Sequence, residues 1–353
     1  MRTSAALLVL LASAVMAGEP QVTFHFRPDQ PTLLNRPLAE FRDVVRSLAF
    51  FHDQVWVGTY GRGVFVLKDG SAPATLTASS SALLEDRVNC LEVAGGDLWV
   101  GTCAGINRVD GKTGAWSKYG VKDGVIHTIY HAIRHDAKGR IWVGTTGHGI
   151  SRFDGKSWVS WGIHEGLPSG WVNDLAEDAS GRMWAATAGG LASFDGTSWH
   201  VLPPTGAIGK IWTHATALAV RGNEIWVGTG GQGLLMTDGT YWYDPGSEAK
   251  LPSHEVSSLL VDRAGKLWVG TARGLVRYDG SGEWRKYGPE QGLEDPHVMI
   301  LREGGPSSDG TAPDGHGGMP SRVWAGSYGG LVYRLDPEKD TWVTVLRKGG
   351  ATK

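Results

Sequence analysis

The chain has 353 residues, with 34 Lys and Arg against 36 Asp and Glu and a formal charge of −2. That near balance argues against nucleic acid or another polyanion as the main partner. Two cysteines alone make no zinc site, so no metal or other cofactor is expected.

Residues 1–17, MRTSAALLVLLASAVMA, carry one Arg, an apolar run and small residues at the end. This pattern predicts a secretory signal peptide cleaved after Ala17, with Ala14 as the other acceptable site. No Cys follows either site, so no bacterial lipid anchor is expected. No later run reaches the roughly 18 apolar residues of a membrane span. The mature chain is expected to be bacterial, soluble, and periplasmic or secreted. Residues 18–43 hold QVTFHF, a candidate strand for ring closure, and a Pro-rich stretch.

From residue 44 onward the chain repeats. Seven times a tryptophan is followed by a small-residue turn and then an apolar strand. The anchors are Trp56, Trp99, Trp142, Trp184, Trp226, Trp268 and Trp324, and the first six are spaced 43, 43, 42, 42 and 42 residues apart. A period of about 40–45 residues made of four short strands marks a propeller blade. The copy at Trp268 shows the four runs: VSSLLV from Val256, KLWVGT, LVRYD and EWRKYG. DRAG turns the first into the second, and Asp279-Gly280 turns the third into the fourth. The first run is apolar at residues three apart, from Val45 and Leu48 through Val298 and Leu301. Such residues point to opposite faces of a strand, so the first strand buries both. One blade cannot do that alone, and the seven must close into a ring. A second Trp falls on the fourth strand of six copies, at Trp116, Trp158, Trp199, Trp242, Trp284 and Trp342, and is read as core packing. The fold class is therefore all-β: a seven-bladed β-propeller over residues 44–353, with four antiparallel strands per blade.

Cys90 and Cys103 lie on adjacent strands of blade two, about four residues out of register, and are read as free thiols. The last anchor spacing is 56, and the excess, residues 303–321, is a Gly/Pro-rich insertion read as a flexible loop. Asp309, Asp314 and His316 within it lack metal-ligand spacing.

Loops entering the first strands should share one face, the top, with the turns between second and third strands. Binding in such rings gathers at the mouth of that face. The residues there diverge while the frame repeats. The position before each first strand supplies Arg87, Trp171, His214, Glu255 and His297. The turn after the anchor supplies Tyr60, Arg62, His148, Gln232, Arg273 and Tyr328. One step into the first strand lie Arg46 and His131. Trp161 and Trp212, outside the repeat, are candidate exposed stacking residues. Together these form a candidate ligand site. If the chain were an enzyme, His214, Glu255 and His297 would be the acid–base or metal-holding group. Nucleophile-elbow, zinc-protease, P-loop and dinucleotide motifs are all lacking.

The repeat V-x-x-L-x-x-D-x-x-G-x-L-W-V-G-T-x-x-G-L-x-R-Y-D-G resembles the two-component-regulator propeller repeat, best from Val256 to Gly280 and from Val172 to Gly196. That resemblance covers about nine-tenths of the chain. It implies a propeller of the kind found in periplasmic sensors, often of glycans, or as free exported proteins. Family sensors usually add a second propeller, a β-sandwich, a membrane helix and a kinase, none of which is read in this sequence. The repeat motif itself contains no catalytic residues. A looser similarity to streptogramin lyases implies a His-centred, magnesium-assisted elimination. The leading expectation is a monomeric, non-catalytic propeller that binds a glycan, a peptide or an envelope protein at its top face. The alternatives are a lyase or hydrolase at the mouth and a structural subunit of an envelope complex.

Overall fold

The computed structural model describes residues 43–68, 71–127, 129–203, 214–304 and 322–347. The signal peptide, QVTFHF, Trp212, Asp309, Asp314 and His316 lie outside them. Within them are seven four-stranded antiparallel sheets, each built from one continuous stretch of chain. Blade one is Val45–Phe51, Gln54–Thr59, Val64–Leu67 and Ala74–Leu76. The first strands of blades two to seven are Val88–Ala94, Tyr130–His135, Val172–Glu177, Ala215–Arg221, Val256–Val261 and Val298–Gly304. Each first strand packs against the first strand of the next blade, and that of blade one packs against that of blade seven. The ring is closed.

The four letters W-V-G-T each have a separate job. The tryptophan fills the space between blades; Trp142 and Trp268 are each 1 % exposed. In blades three, four and six its indole N–H donates to a turn aspartate six residues earlier. These bonds are Trp142 Nε1 to Asp136 Oδ2 (2.8 Å), Trp184 to Asp178 (2.8 Å) and Trp268 to Asp262 (2.7 Å). The valine is fully buried in blades one, two, three, five and six. The threonine closes the following turn. Its hydroxyl donates to a glycine carbonyl in six blades, as from Thr145 to Gly149 O and from Thr271 to Gly274 O, both at 2.8 Å.

The glycine is there because the next blade comes too close for a side chain. A Cβ on Gly144 would stand 2.6 Å from Val172 Cγ1, one on Gly228 2.5 Å from Val256 Cγ1, and one on Gly270 2.8 Å from Val298 Cγ1. Blade four breaks the motif, reading W-A-A-T with Ala186 at the glycine position. The facing residue of blade five is Ala215, where most blades have Val. Both are fully buried. The lost space is returned by the partner.

Every first strand carries a β-bulge at one place. The pairing register slips between Val45 and Ser47, Val88 and Cys90, Tyr130 and Ala132, Val172 and Asp174, Ala215 and Ala217, Val256 and Ser258, and Val298 and Ile300. The extra residues are Arg46, Asn89, His131, Asn173, Thr216, Ser257 and Met299. A bulge re-aims a side chain and frees backbone groups. Two N–H groups just past the bulge bond across the blade boundary: Leu218 N donates to Asp174 Oδ2 and Leu301 N to Ser258 Oγ, both at 3.0 Å.

Three expectations need correction. The insertion is shorter than residues 303–321, because Glu303 and Gly304 complete the first strand of blade seven. Gly304 O accepts the indole N–H of Trp324 at 3.1 Å. Cys90 pairs with Gly101, so Cys103 is two residues out of register rather than four, a consequence of the tight Gly95-Gly96 turn and the bulge. Both thiols are free. Trp161, expected at the surface, is 9 % exposed. It stacks on Trp142 at 5.6 Å, with the guanidinium of Arg152 5.1 Å from its ring.

The Gly–Val contact makes a test. Gly270→Ala should destabilise the protein by about 1–3 kcal/mol through overpacking. Val298→Ala should destabilise it through a small cavity. The double variant should be more stable than the two single costs predict, because it copies the Ala186–Ala215 pair. Urea unfolding of the four proteins measures that coupling, and strict additivity would contradict the account.

Candidate functional site

The two kinds of top loop are joined by one backbone hydrogen bond per blade. The N–H after each W-V-G-T run donates to the carbonyl of the residue just before the first strand. The seven bonds are Tyr60 to Val44 (3.1 Å), Cys103 to Arg87 (3.2 Å), Thr146 to Ile129 (3.1 Å), Ala188 to Trp171 (2.9 Å), Gly230 to His214 (3.1 Å), Ala272 to Glu255 (3.1 Å) and Tyr328 to His297 (2.9 Å). Loop-to-loop bonds also cross between blades, such as Gly149 N to Gly170 O and Gly233 N to His254 O. The side chains of this face are therefore presented by rigid backbone.

On that frame the structure forms two ring stacks. His148 lies on His127 with centroids 4.0 Å apart and planes at 10°. Burial and then the neighbouring imidazole lower the pKa of His127. His127 had no place in the sequence reading. Its signal was the HTIYH stretch before the first strand of blade three. His297 lies on Tyr328 at 4.9 Å and 6°. Trp171 is 40 % exposed and rests against the turn that carries His148. A Cβ on Gly147 would come within 3.1 Å of its Nε1. Trp171, His148 and His127 thus form a continuous aromatic wall at the boundary of blades three and four.

The remaining candidates are more separate. Arg62 pairs with the buried Asp43. Arg87 is held by Glu85 at 2.5 Å, and Tyr60 bridges to Arg87 through backbone. Arg273 and Glu255 are exposed and Gln232 half-buried. His214 adopts a left-handed φ of 72°, a sparsely populated region for a residue with a Cβ. Its ring covers Gly230 so closely that a Cβ there would lie 2.7 Å from Nδ1.

Burial lowers the pKa of both His214 and His297. Asp295 and Glu255 oppose that effect at His297, whereas burial alone acts on His214. Glu255 thus acts on His297. Among the described residues no group of three or more His, Cys, Asp or Glu is placed to hold a metal ion.

Below the mouth the bulge residues line the channel. Arg46 on blade one and His131 on blade three hold the bulge position of their first strands, and both are half-buried. Burial, then Arg46, lowers the His131 pKa to about 4. Deeper in, Arg134 Nη2 contacts Asp174 Oδ1 at 2.7 Å and Nη1 lies 3.8 Å from Glu92 Oε2. Arg302 of blade seven acts on the same carboxylates and is pushed down by burial, then by Arg134, to about 10.

A ring of seven four-stranded sheets with its polar residues gathered at one mouth is a seven-bladed β-propeller. The family model described as two component regulator propeller matches residues 124–147, 166–189 and 250–273. The chain carries two-component-regulator propeller repeats. No curated protein matches it.

Solved structures match at low identity. Streptogramin B lyase is 14% identical with a TM-score of 0.60, over 82% of this chain and 92% of that one. The extracellular domain of the one-component system BT4673 from B. thetaiotaomicron is 17% identical with a TM-score of 0.51, over 87% of this chain and 43% of that one. The chain thus spans under half of that domain. The computationally designed Ika8 protein is 15% identical with a TM-score of 0.56, over 86% of each chain. A designed ring matches about as well as natural ones, so the likeness speaks for fold. No described helix is long and apolar enough to cross a membrane.

His131 generates a pH prediction. Its folded pKa of about 4 lies below the ordinary imidazole value of 6.5. The unfolded chain binds the extra proton, so this contribution to stability is present above pH 6.5 and is lost as pH falls toward 4. His131→Asn should flatten the fall in unfolding free energy between pH 7 and 5. An unchanged slope in urea melts would contradict a buried neutral imidazole.

Proposed function

We propose that this chain is an exported, non-catalytic binding propeller that takes its ligand or partner at the top-face mouth. The observation that carries this reading is the contrast between frame and lining. One backbone bond repeats seven times, while the side chains it presents differ in every blade. Structural positions of a repeat stay alike, as W-V-G-T does. The wall of Trp171, His148 and His127, with Arg87, Arg273, Gln232, Glu255 and the His297–Tyr328 stack round the rim, suits a polar ligand with flat faces, such as a glycan or a peptide. The two-component-regulator repeats support a recognition role, and the signal-peptide pattern supports a periplasmic or secreted location.

A lyase-like reading keeps His297 as its centre, because Asp295 and Glu255 both act on it. The assembly reading has less support. The fourth strands expose single apolar side chains on different blades, Val159, Val201, Tyr243 and Val343, rather than one broad patch.

The deciding experiment is thermal unfolding of the chain without residues 1–17 against neutral oligosaccharides, peptides and magnesium. A ligand at 100 times its Kd adds about 2.7 kcal/mol to stability. Trp171→Ala should weaken a glycan or peptide at least about tenfold, the cost of a hot-spot aromatic. A shift with magnesium alone, lost on His297→Ala, would favour the lyase reading.

A further inference from the structure

Six of the seven bulge side chains fall into two arcs, and the seventh, in blade seven, is Met299. In blades four to six they are used by the framework. Asn173 Nδ2 donates to Ala215 O at 2.7 Å, Thr216 Oγ1 to Val256 O at 2.5 Å, and Ser257 Oγ to Val298 O. Each acceptor is the first residue of the next blade's first strand, so each bond ties one blade to the next. In blades one to three the same position holds Arg46, Asn89 and His131, and none makes that bond. Asn89 Nδ2 reaches Cys103 Sγ at 3.4 Å, and its Oδ1 is buried without a partner. Arg46 and His131 make no hydrogen bond or ion pair among the described residues.

The charge balance of the channel singles out Arg46. Arg134 and Arg302 act on Glu92 and Asp174, and Glu92 also holds His135 Nδ1 at 2.8 Å, so both carboxylates are already engaged. The groups acting on Arg46 are the Tyr60 phenol and the Cys90 and Cys103 thiols. Burial pushes both thiols up, Cys90 to about 12, so neither is a counter-charge at neutral pH. Arg46 is half-buried and reaches solvent. A half-buried guanidinium with no carboxylate beside it among the described residues is placed to take an anion. Its planar fork fits a carboxylate better than a spherical ion. Asn89 Oδ1 can only accept, so it requires a donor beside that carboxylate. A ligand hydroxyl supplies one.

We propose that the channel beneath the mouth holds a small hydroxy-carboxylate, with its carboxylate on Arg46, a hydroxyl donating to Asn89 Oδ1, and His131 supplying one further hydrogen bond. This deepens the mouth reading and rests on it only for the side from which the ligand enters.

The test is isothermal titration of the chain without residues 1–17 at pH 7, using gluconate, acetate, sorbitol and sulfate as probes. Gluconate should bind at least about tenfold more tightly than acetate or sulfate, and sorbitol should give no heat. Arg46→Met should abolish gluconate binding. It should also raise the melting temperature in buffer free of carboxylates, because it removes an uncompensated charge. That rise shows the variant is folded. Gluconate binding retained in Arg46→Met, sulfate binding equal to gluconate, or no gluconate binding by about 10 mM would each overturn the proposal. The mouth reading is scored separately, by the effect of Trp171→Ala on neutral oligosaccharides or peptides, so either can fail without the other.

Discussion

The contact on which this molecule depends is between a glycine of one blade and the first valine of the next. At Gly144, Gly228 and Gly270 there is no room for a Cβ. The absent side chain sets how closely neighbouring sheets approach, and that approach lets the tryptophans fill the wedge between them. The exception obeys the same rule. Ala186 faces Ala215, so added volume on one side is removed from the other. Packed interiors register even one methylene, and a ring has little freedom to relax, because moving one blade moves its two neighbours.

The bulges turn that framework into a lined channel. A regular first strand would alternate its side chains between the two neighbouring blades. One extra residue, repeated seven times, breaks the alternation near the top and gives each blade a side chain directed at the axis. Where that side chain is Asn, Thr or Ser in blades four to six, it hydrogen-bonds the next blade. Where it is Arg or His in blades one and three, its polar atoms make no such bond, and Asn89 of blade two leaves its Oδ1 unpaired among the described residues. The asymmetry of the channel is thus written at one position per repeat, on an otherwise uniform ring.

Much of the architecture was legible because it rests on local chemistry. The Trp spacing, the D-x-x-G turns and the small residues after each anchor specify hairpins without reference to the rest of the chain. Trp161 was misread because it lies outside the tryptophan period. A subtler signal was present. An aromatic followed by Gly ends the fourth strand at Tyr119-Gly120, Trp161-Gly162 and Tyr287-Gly288. Tyr119, Trp161 and Tyr287 each pack on their own blade's anchor, at 5.7, 5.6 and 5.6 Å. The next residues form one turn of 3-10 helix, closed where a side-chain oxygen of Asp123, Glu165 or Gln291 accepts from the N–H of that glycine. Glu165 is therefore a cap.

The sequence by itself determined the number of blades, the strand order within each and the face on which divergent residues gather. Each follows from turn chemistry and a period that operate within about 40 residues. Only the tertiary structure decided which of those residues meet. That Glu255 acts on His297 and Arg46 on His131 depends on separate blades being set round one ring, whereas the His148–His127 stack forms within blade three. Closure brings together residues about 40 to 80 positions apart, at distances set by bulges and close approaches between blades. No local pattern encodes those distances, because they belong to the whole circle.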